Sequence, residues 1–150
     1  MNTLRLIATV GACCLAIATS CNKDGACRAV YGEGVTINLE DHKWHALNTI
    51  GNAVVVNRGL KGIYVTRMAL TGSDQFTAFE CACPNDNDDC LLPDTEANFP
   101  DIDDHYGSAV LRCPECNATF ETYNGQPLGG SQCPLYQYST AVDGYLLTIY

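Results

Sequence analysis

The sequence predicts an all-β protein built as a small antiparallel sandwich. Short β-branched and aromatic runs recur about every ten residues, turn-forming Gly and Asp residues separate them, and no stretch carries a convincing 3.6-residue apolar period. The first run, Val35-Thr36-Ile37-Asn38-Leu39, alternates apolar and polar side chains and predicts a half-buried strand. Ala53 to Asn57 and Ile63 to Met68 are β-branched runs joined across Arg58-Gly59-Leu60-Lys61-Gly62. Phe76 to Glu80 follows the turn Thr71-Gly72-Ser73-Asp74, so these three runs are expected as consecutive antiparallel strands. Ala109 to Arg112, Ala118 to Thr122 and Tyr145 to Ile149 complete the set. Tyr136, Tyr138, Tyr145 and Tyr150 are expected to pack on strand faces.

Composition narrows the function classes. A chain of 150 residues, 47% of them hydrophobic, buries one modest core and is too apolar for intrinsic disorder. Its 8 Lys and Arg against 17 Asp and Glu give a formal net charge of −9, which repels phosphate backbones and excludes nucleic acid as a partner. Ten cysteines far exceed ordinary usage, so the thiols are either paired as disulfides or committed to a metal.

The segment Met1 to Cys21 carries Arg5, an apolar run from Leu6 to Ala18, and the small residues Ala18, Thr19 and Ser20 ahead of Cys21. It has the form of an export signal too short to span a bilayer. A cysteine directly after small residues resembles the lipobox of bacterial lipoproteins, in which the thiol is lipidated and the amine becomes the new N-terminus. On this reading residues 1–20 are a signal peptide, Cys21 is the lipidation site, and the mature chain has 7 basic against 17 acidic residues. The chain is then expected in the cell envelope, in the periplasm or on the outer membrane, held by its lipid alone. Residues 21–34, small and polar with glycines, are expected as a tether, which leaves 35–150 as the β domain.

Two cysteine-bearing loops interrupt the strand pattern. Cys81-Ala82-Cys83-Pro84-Asn85 follows the run ending at Glu80, and Cys113-Pro114-Glu115-Cys116 follows the run ending at Arg112. A Cys-x-x-Cys turn can point two thiolates at one centre, and two such turns facing each other can surround a metal with sulfur.

These loops resemble those of Rieske iron-sulfur domains, in which C-x-H and C-P-x-H-G loops at the tips of a β-sandwich hold a 2Fe-2S cluster. Leu111 to Phe120 follows the family's L-x-C-P-x-H-G-x-x-F, with Cys116 at the histidine position and Asn117 at the glycine. Asn124-Gly125 stands at the family's turn glycine, and Gly129 to Tyr138 resembles its G-P-A-x-x-P-L-x-x-Y. Cys83-Pro84 aligns with the first Cys-Pro and Asn85 with the first histidine. The chain looks most like the Rieske-like lipoproteins of Bacteroides-type Gram-negative bacteria, which lack the histidines. The resemblance implies a Rieske-type sandwich with two ligand-loop tips and an electron-transfer role toward a redox or surface partner that the sequence does not identify. It does not imply catalysis, because the family's oxygenases carry a separate mononuclear-iron domain.

Loss of both histidines changes what the resemblance implies for a cofactor. Imidazole ligation raises a Rieske potential to roughly −150 to +300 mV, against about −400 mV for thiolate-only clusters. Any 2Fe-2S cluster here would draw on Cys83, Cys113, Cys116 and a fourth thiolate from Cys81 or Cys90, and would be a low-potential centre. Zinc is equally served by thiolates. Disulfides on a metal-free scaffold, with a binding or structural role, are the alternative in an oxidising compartment.

The stretch from Asp86 to His105 holds eight carboxylates in twenty residues and is expected as a solvated loop, since it lacks the glycine and ligand spacing of a calcium loop. His42 and His45 flank Trp44 and are expected to pack beside it, and His105 ends the acidic stretch. No nucleophile-base order, phosphate-binding glycine loop or carboxylate pair stands out, so no catalytic residues are assigned.

Overall fold

The computed structural model describes Cys27 and residues 31–90, 92–93 and 110–150, with backbone alone described for 86–90 and 92–93. The export signal, Cys21, His105 and most of the acidic stretch lie outside these residues, as does the side chain of Cys90. Among the described residues no helix is long and apolar enough to cross a membrane.

Among the described residues thirteen strands are present, all in antiparallel pairings: β1 (Val35–Asn38), β2 (Ala53–Val56), β3 (Ile63–Arg67), β4 (Phe76–Glu80), β5 (Ala82–Cys83), β6 (Asp86–Cys90), β7 (Leu92–Pro93), β8 (Val110–Arg112), β9 (Thr119–Glu121), β10 (Pro127–Gly129), β11 (Gln137–Tyr138), β12 (Thr140–Asp143) and β13 (Leu146–Ile149). They form sheets ordered β1-β13-β12, β11-β4-β3-β2 and β10-β9-β8-β7, with β5-β6 as a separate ribbon. The expected all-β antiparallel class is what the chain adopts, and the three consecutive strands β2, β3 and β4 pair in sequence order.

The β11-β4-β3-β2 sheet is buried on both faces, which explains why every residue of β3 is buried. Period-two alternation divides its side chains. Ile63, Val65, Phe76 and Ala78 point into one core with Ile37, Leu147 and Ile149 of the β1-β13-β12 sheet. Tyr64 and Phe79, paired across the strands, point into a second core with Leu111, Phe120, Ala118, Leu135 and the cysteines Cys81, Cys83 and Cys113. Phe79 and Phe120 are fully buried, and each contributes on the order of 1.5–3 kcal/mol of transfer free energy. Gly125 allows this packing: its φ is +70°, and a Cβ there would come within 2.6 Å of the Phe79 ring.

Several features depart from the expectations. A 3-10 helix spans His42–Asn48, capped by the Asp41 carboxylate, which accepts from the Lys43 amide at 3.3 Å. Only Leu47 of this helix is buried. Trp44 packs on the first core, and His42 and His45 on either side of it are exposed. Tyr136 and Tyr138 pack as expected, but Tyr145 and Tyr150 are both 64% exposed, because they lie at a turn and at the chain end. The stretch read as a tether meets the domain before residue 35. Cys27 is bridged to Cys133 with a Cα–Cα distance of 5.3 Å, the Tyr31 ring stacks on Tyr136 at 4.5 Å, and the Gly32 amide donates to the Tyr138 hydroxyl at 3.0 Å.

Candidate metal centre

The second cysteine loop is a knuckle closed by its own backbone. The Cys113 amide donates to the Ala118 carbonyl at 2.9 Å, and the Asn117 amide donates back to the Cys113 carbonyl at 3.0 Å. Closing so tight a turn requires a left-handed residue, and Asn117 takes it with φ of +57°. Asn tolerates this region better than other non-Gly residues, which is why it can stand at the resembled family's glycine. Pro114, Glu115 and Cys116 are exposed at the tip, while Cys113 is fully buried at the base.

The first cysteine loop is held by a buried carboxylate. Glu80 is 0% exposed. Its Oε1 accepts from the amides of Lys61 at 2.9 Å and Ala82 at 3.2 Å, and its Oε2 accepts from the Leu60 amide at 2.8 Å and the Tyr138 hydroxyl at 2.6 Å. All four neighbours donate, which suits an acceptor-only carboxylate. The Cys81 amide donates to the Gly62 carbonyl at 2.8 Å, so the chain leading to Cys83 is fastened to the 58–62 turn at consecutive positions. Burial, and then the bond to Glu80, push the Tyr138 hydroxyl well above the ordinary tyrosine range.

The two loops bring Cys83, Cys113 and Cys116 together, with all three sulfurs within 4.8 Å of one another. The Cys83 and Cys116 sulfurs are 3.7 Å apart. Cys83 and Cys113 are buried, and Cys116 opens to solvent. Cys81, expected from the sequence as a fourth ligand, is not in this group. It is buried in the same core as Cys83 and Cys113, with its Cβ 3.8 Å from where a side chain on Gly62 would begin. Cys81, Cys83, Cys113 and Cys116 are not joined in disulfides, and Cys27–Cys133 is the disulfide among the described residues.

Asn85 occupies the position where the resemblance places a histidine, and it acts as a donor. Its Nδ2 reaches the Cys116 sulfur at 3.5 Å and the Gly130 carbonyl at 2.7 Å. It thereby ties the first loop to the second and to the 129–134 loop, which the Cys27–Cys133 bridge fastens in turn. Gly130, with φ of +74°, lies so close to Ala118 that a Cβ would approach its Cα at 2.9 Å. Burial opposes charge on Cys116, but the Ala118 amide, the Asn85 amide and the neighbouring Cys113 and Cys83 thiols outweigh it and hold the thiol below its ordinary range.

The donor set fits a soft or borderline metal. Thiolates select zinc, Cu(I) and iron-sulfur centres over hard cations, and N–H groups aimed at a ligating sulfur stabilise its charge. His42 and His45 lie on the 3-10 helix, with ring centroids 6.3 Å apart, and belong to no such group among the described residues.

No family model matches the sequence, and no curated protein matches it. Among solved structures, the chain is similar to the ferredoxin of carbazole 1,9a-dioxygenase from Nocardioides aromaticivorans IC177, at 17% identity and a TM-score of 0.45 over 77% of this chain and 95% of that one. It is also similar to a chain in the complex of reduced oxygenase and oxidized ferredoxin in carbazole 1,9a-dioxygenase, at 21% identity and a TM-score of 0.45 over 79% of this chain and 100% of that one.

Proposed function

We propose that this chain is a lipid-anchored protein of the cell envelope, without catalytic activity of its own, whose Cys83, Cys113 and Cys116 thiolates hold a metal centre. With iron in the site, the protein passes single electrons to a redox partner. The observation that carries this reading is the convergence of three sulfurs from two separate loops within 4.8 Å. The loop motifs shared with Rieske domains support it, and the signal-like segment ending at Cys21 supports the anchor.

The test is metal content and visible absorbance of anaerobically purified protein, with an EPR spectrum after dithionite reduction. Near-stoichiometric metal that is lost in Cys113→Ser, together with lower stability, is the expected result, since a site formed only in the folded chain contributes its binding energy to folding. Metal content unchanged in that variant removes Cys113 from the ligand set.

A second reading rests on one specific contact. The Cys83 and Cys116 sulfurs, 3.7 Å apart, are placed to bridge without large backbone movement, as Cys27 and Cys133 do. On that reading the scaffold is metal-free and serves in binding. A Cys83–Cys116 linked peptide in metal-free native protein would favour it.

A further inference from the structure

Resting on the metal-centre part of the reading above and not on its electron-transfer part, we infer that Cys83, Cys113 and Cys116 bind a single divalent ion of the zinc class and not a two-iron cluster. A metal–sulfur bond of about 2.3 Å places the sulfurs of a tetrahedral site about 3.8 Å apart. Cys83 and Cys116 already stand at 3.7 Å, and the longest separation in the triangle is 4.8 Å, so a contraction of at most about 1 Å closes three edges around one ion.

A 2Fe-2S cluster asks for a different arrangement. It takes two protein ligands on each iron, and the bridging sulfides hold the two pairs on opposite sides of the core. Three sulfurs that are all mutual neighbours cannot be divided that way. Cys81, which would have to reach toward the second iron, is buried and lies outside the group of sulfurs within 4.8 Å of one another. Asn85, at the remaining family position, turns its amide nitrogen to the Cys116 sulfur as a donor and spends its other hydrogen on Gly130.

Charge agrees with one ion. Three thiolates around a divalent ion leave one net negative charge, and the Asn85 amide is directed at the most exposed of the three sulfurs. On binding, the three thiols lose their protons to solvent and three metal–sulfur bonds form, with no change in oxidation state.

The experiment is an anaerobic Co(II) titration of the full chain with the Cys27–Cys133 bridge intact, followed by thiolate-to-metal charge-transfer absorbance. Saturation at one equivalent per chain is expected. Cys116→Ser, a substitution at an exposed position, should remove about one third of the charge-transfer intensity, and Cys81→Ala should leave it unchanged. Two irons and two acid-labile sulfides per chain after reconstitution with iron and sulfide would overturn the single-ion inference and leave the metal-centre reading standing. Charge-transfer intensity unaltered in Cys116→Ser would also overturn it. Failure of Co(II), Zn(II) and iron with sulfide alike to bind the reduced chain would remove the metal-centre reading itself.

Discussion

Replacing Glu80 by Gln changes one atom and tests how the first cysteine loop is held. The carboxylate is fully buried and accepts four hydrogen bonds, two at each oxygen. An amide keeps one acceptor oxygen and turns an NH2 group toward two of the donors. If the oxygen stays near Lys61 and Ala82, the Leu60 amide loses its acceptor and the Tyr138 hydroxyl must turn to the Gly32 carbonyl, now 3.5 Å away. Hydrogen bonds to charged groups contribute about 1.5–3 kcal/mol each, and a buried donor left unpaired costs about 1–3 kcal/mol, so a loss of roughly 3–5 kcal/mol is expected. That is a large share of the roughly 5–15 kcal/mol by which a domain is stable. Urea unfolding of wild type and Glu80→Gln, read by tryptophan fluorescence from the single Trp44, measures it. A companion Co(II) titration should show weakened binding, because the Ala82 amide sits directly before Cys83. A midpoint shift worth less than about 0.5 kcal/mol, the range of ordinary surface substitutions, would refute the reasoning.

Further outcomes follow from the same contacts. Asn85→Ala removes the amide between the Cys116 sulfur and Gly130, and metal affinity should fall by about 10–100-fold, as competition with a chelator would report, while the unfolding midpoint of the metal-free chain moves little. The double substitution Cys27→Ser with Cys133→Ser opens a link across 106 residues and should cost about 3–5 kcal/mol in denaturant unfolding, without altering metal stoichiometry. Tyr138 supplies a pH dependence. Because its folded-state pKa is raised, the hydroxyl's contribution is fully present below the unfolded value near 10 and is lost as pH climbs beyond it. Unfolding midpoints collected between pH 7 and about 11 should therefore fall on the alkaline side, and Tyr138→Phe should be less stable at neutral pH with a shallower alkaline decline.

The strands that position the site were legible because alternation is a local signal. Val35–Asn38, Ala53–Val56, Ile63–Arg67 and Phe76–Glu80 all form within a residue or two of the runs that announce them. Cys83, Cys113 and Cys116 were legible for a similar reason, since Cys-Pro spacing at the end of a strand marks a turn that presents sulfur. Glu80 was not: a carboxylate ending a strand looks solvated until Leu60, Lys61 and Tyr138, 19 to 58 residues away, close around it. Nor does spacing choose between Cys81 and Cys83, of which the fold brings only Cys83 to the other two sulfurs. The Cys27–Cys133 pairing is invisible for the general reason that connectivity does not follow from cysteine count. The short strands β10 and β11 carry too few residues for a period to show, whereas β12 ends at Asp143-Gly144, with Gly144 at φ +58°, a hairpin signal in plain sight.

Cys83, Cys113 and Cys116 are proposed to form one metal-thiolate site, on which the function depends. Differential alkylation of the anaerobically purified chain, with and without a strong chelator and followed by peptide mapping, tests it most directly. These three thiols are expected to resist alkylation together and to become reactive together when the chelator removes the metal, with Cys116 no faster than the buried pair before removal. Immediate labelling of exposed Cys116 in untreated protein, or recovery of Cys83 and Cys116 as a disulfide-linked peptide, would contradict it.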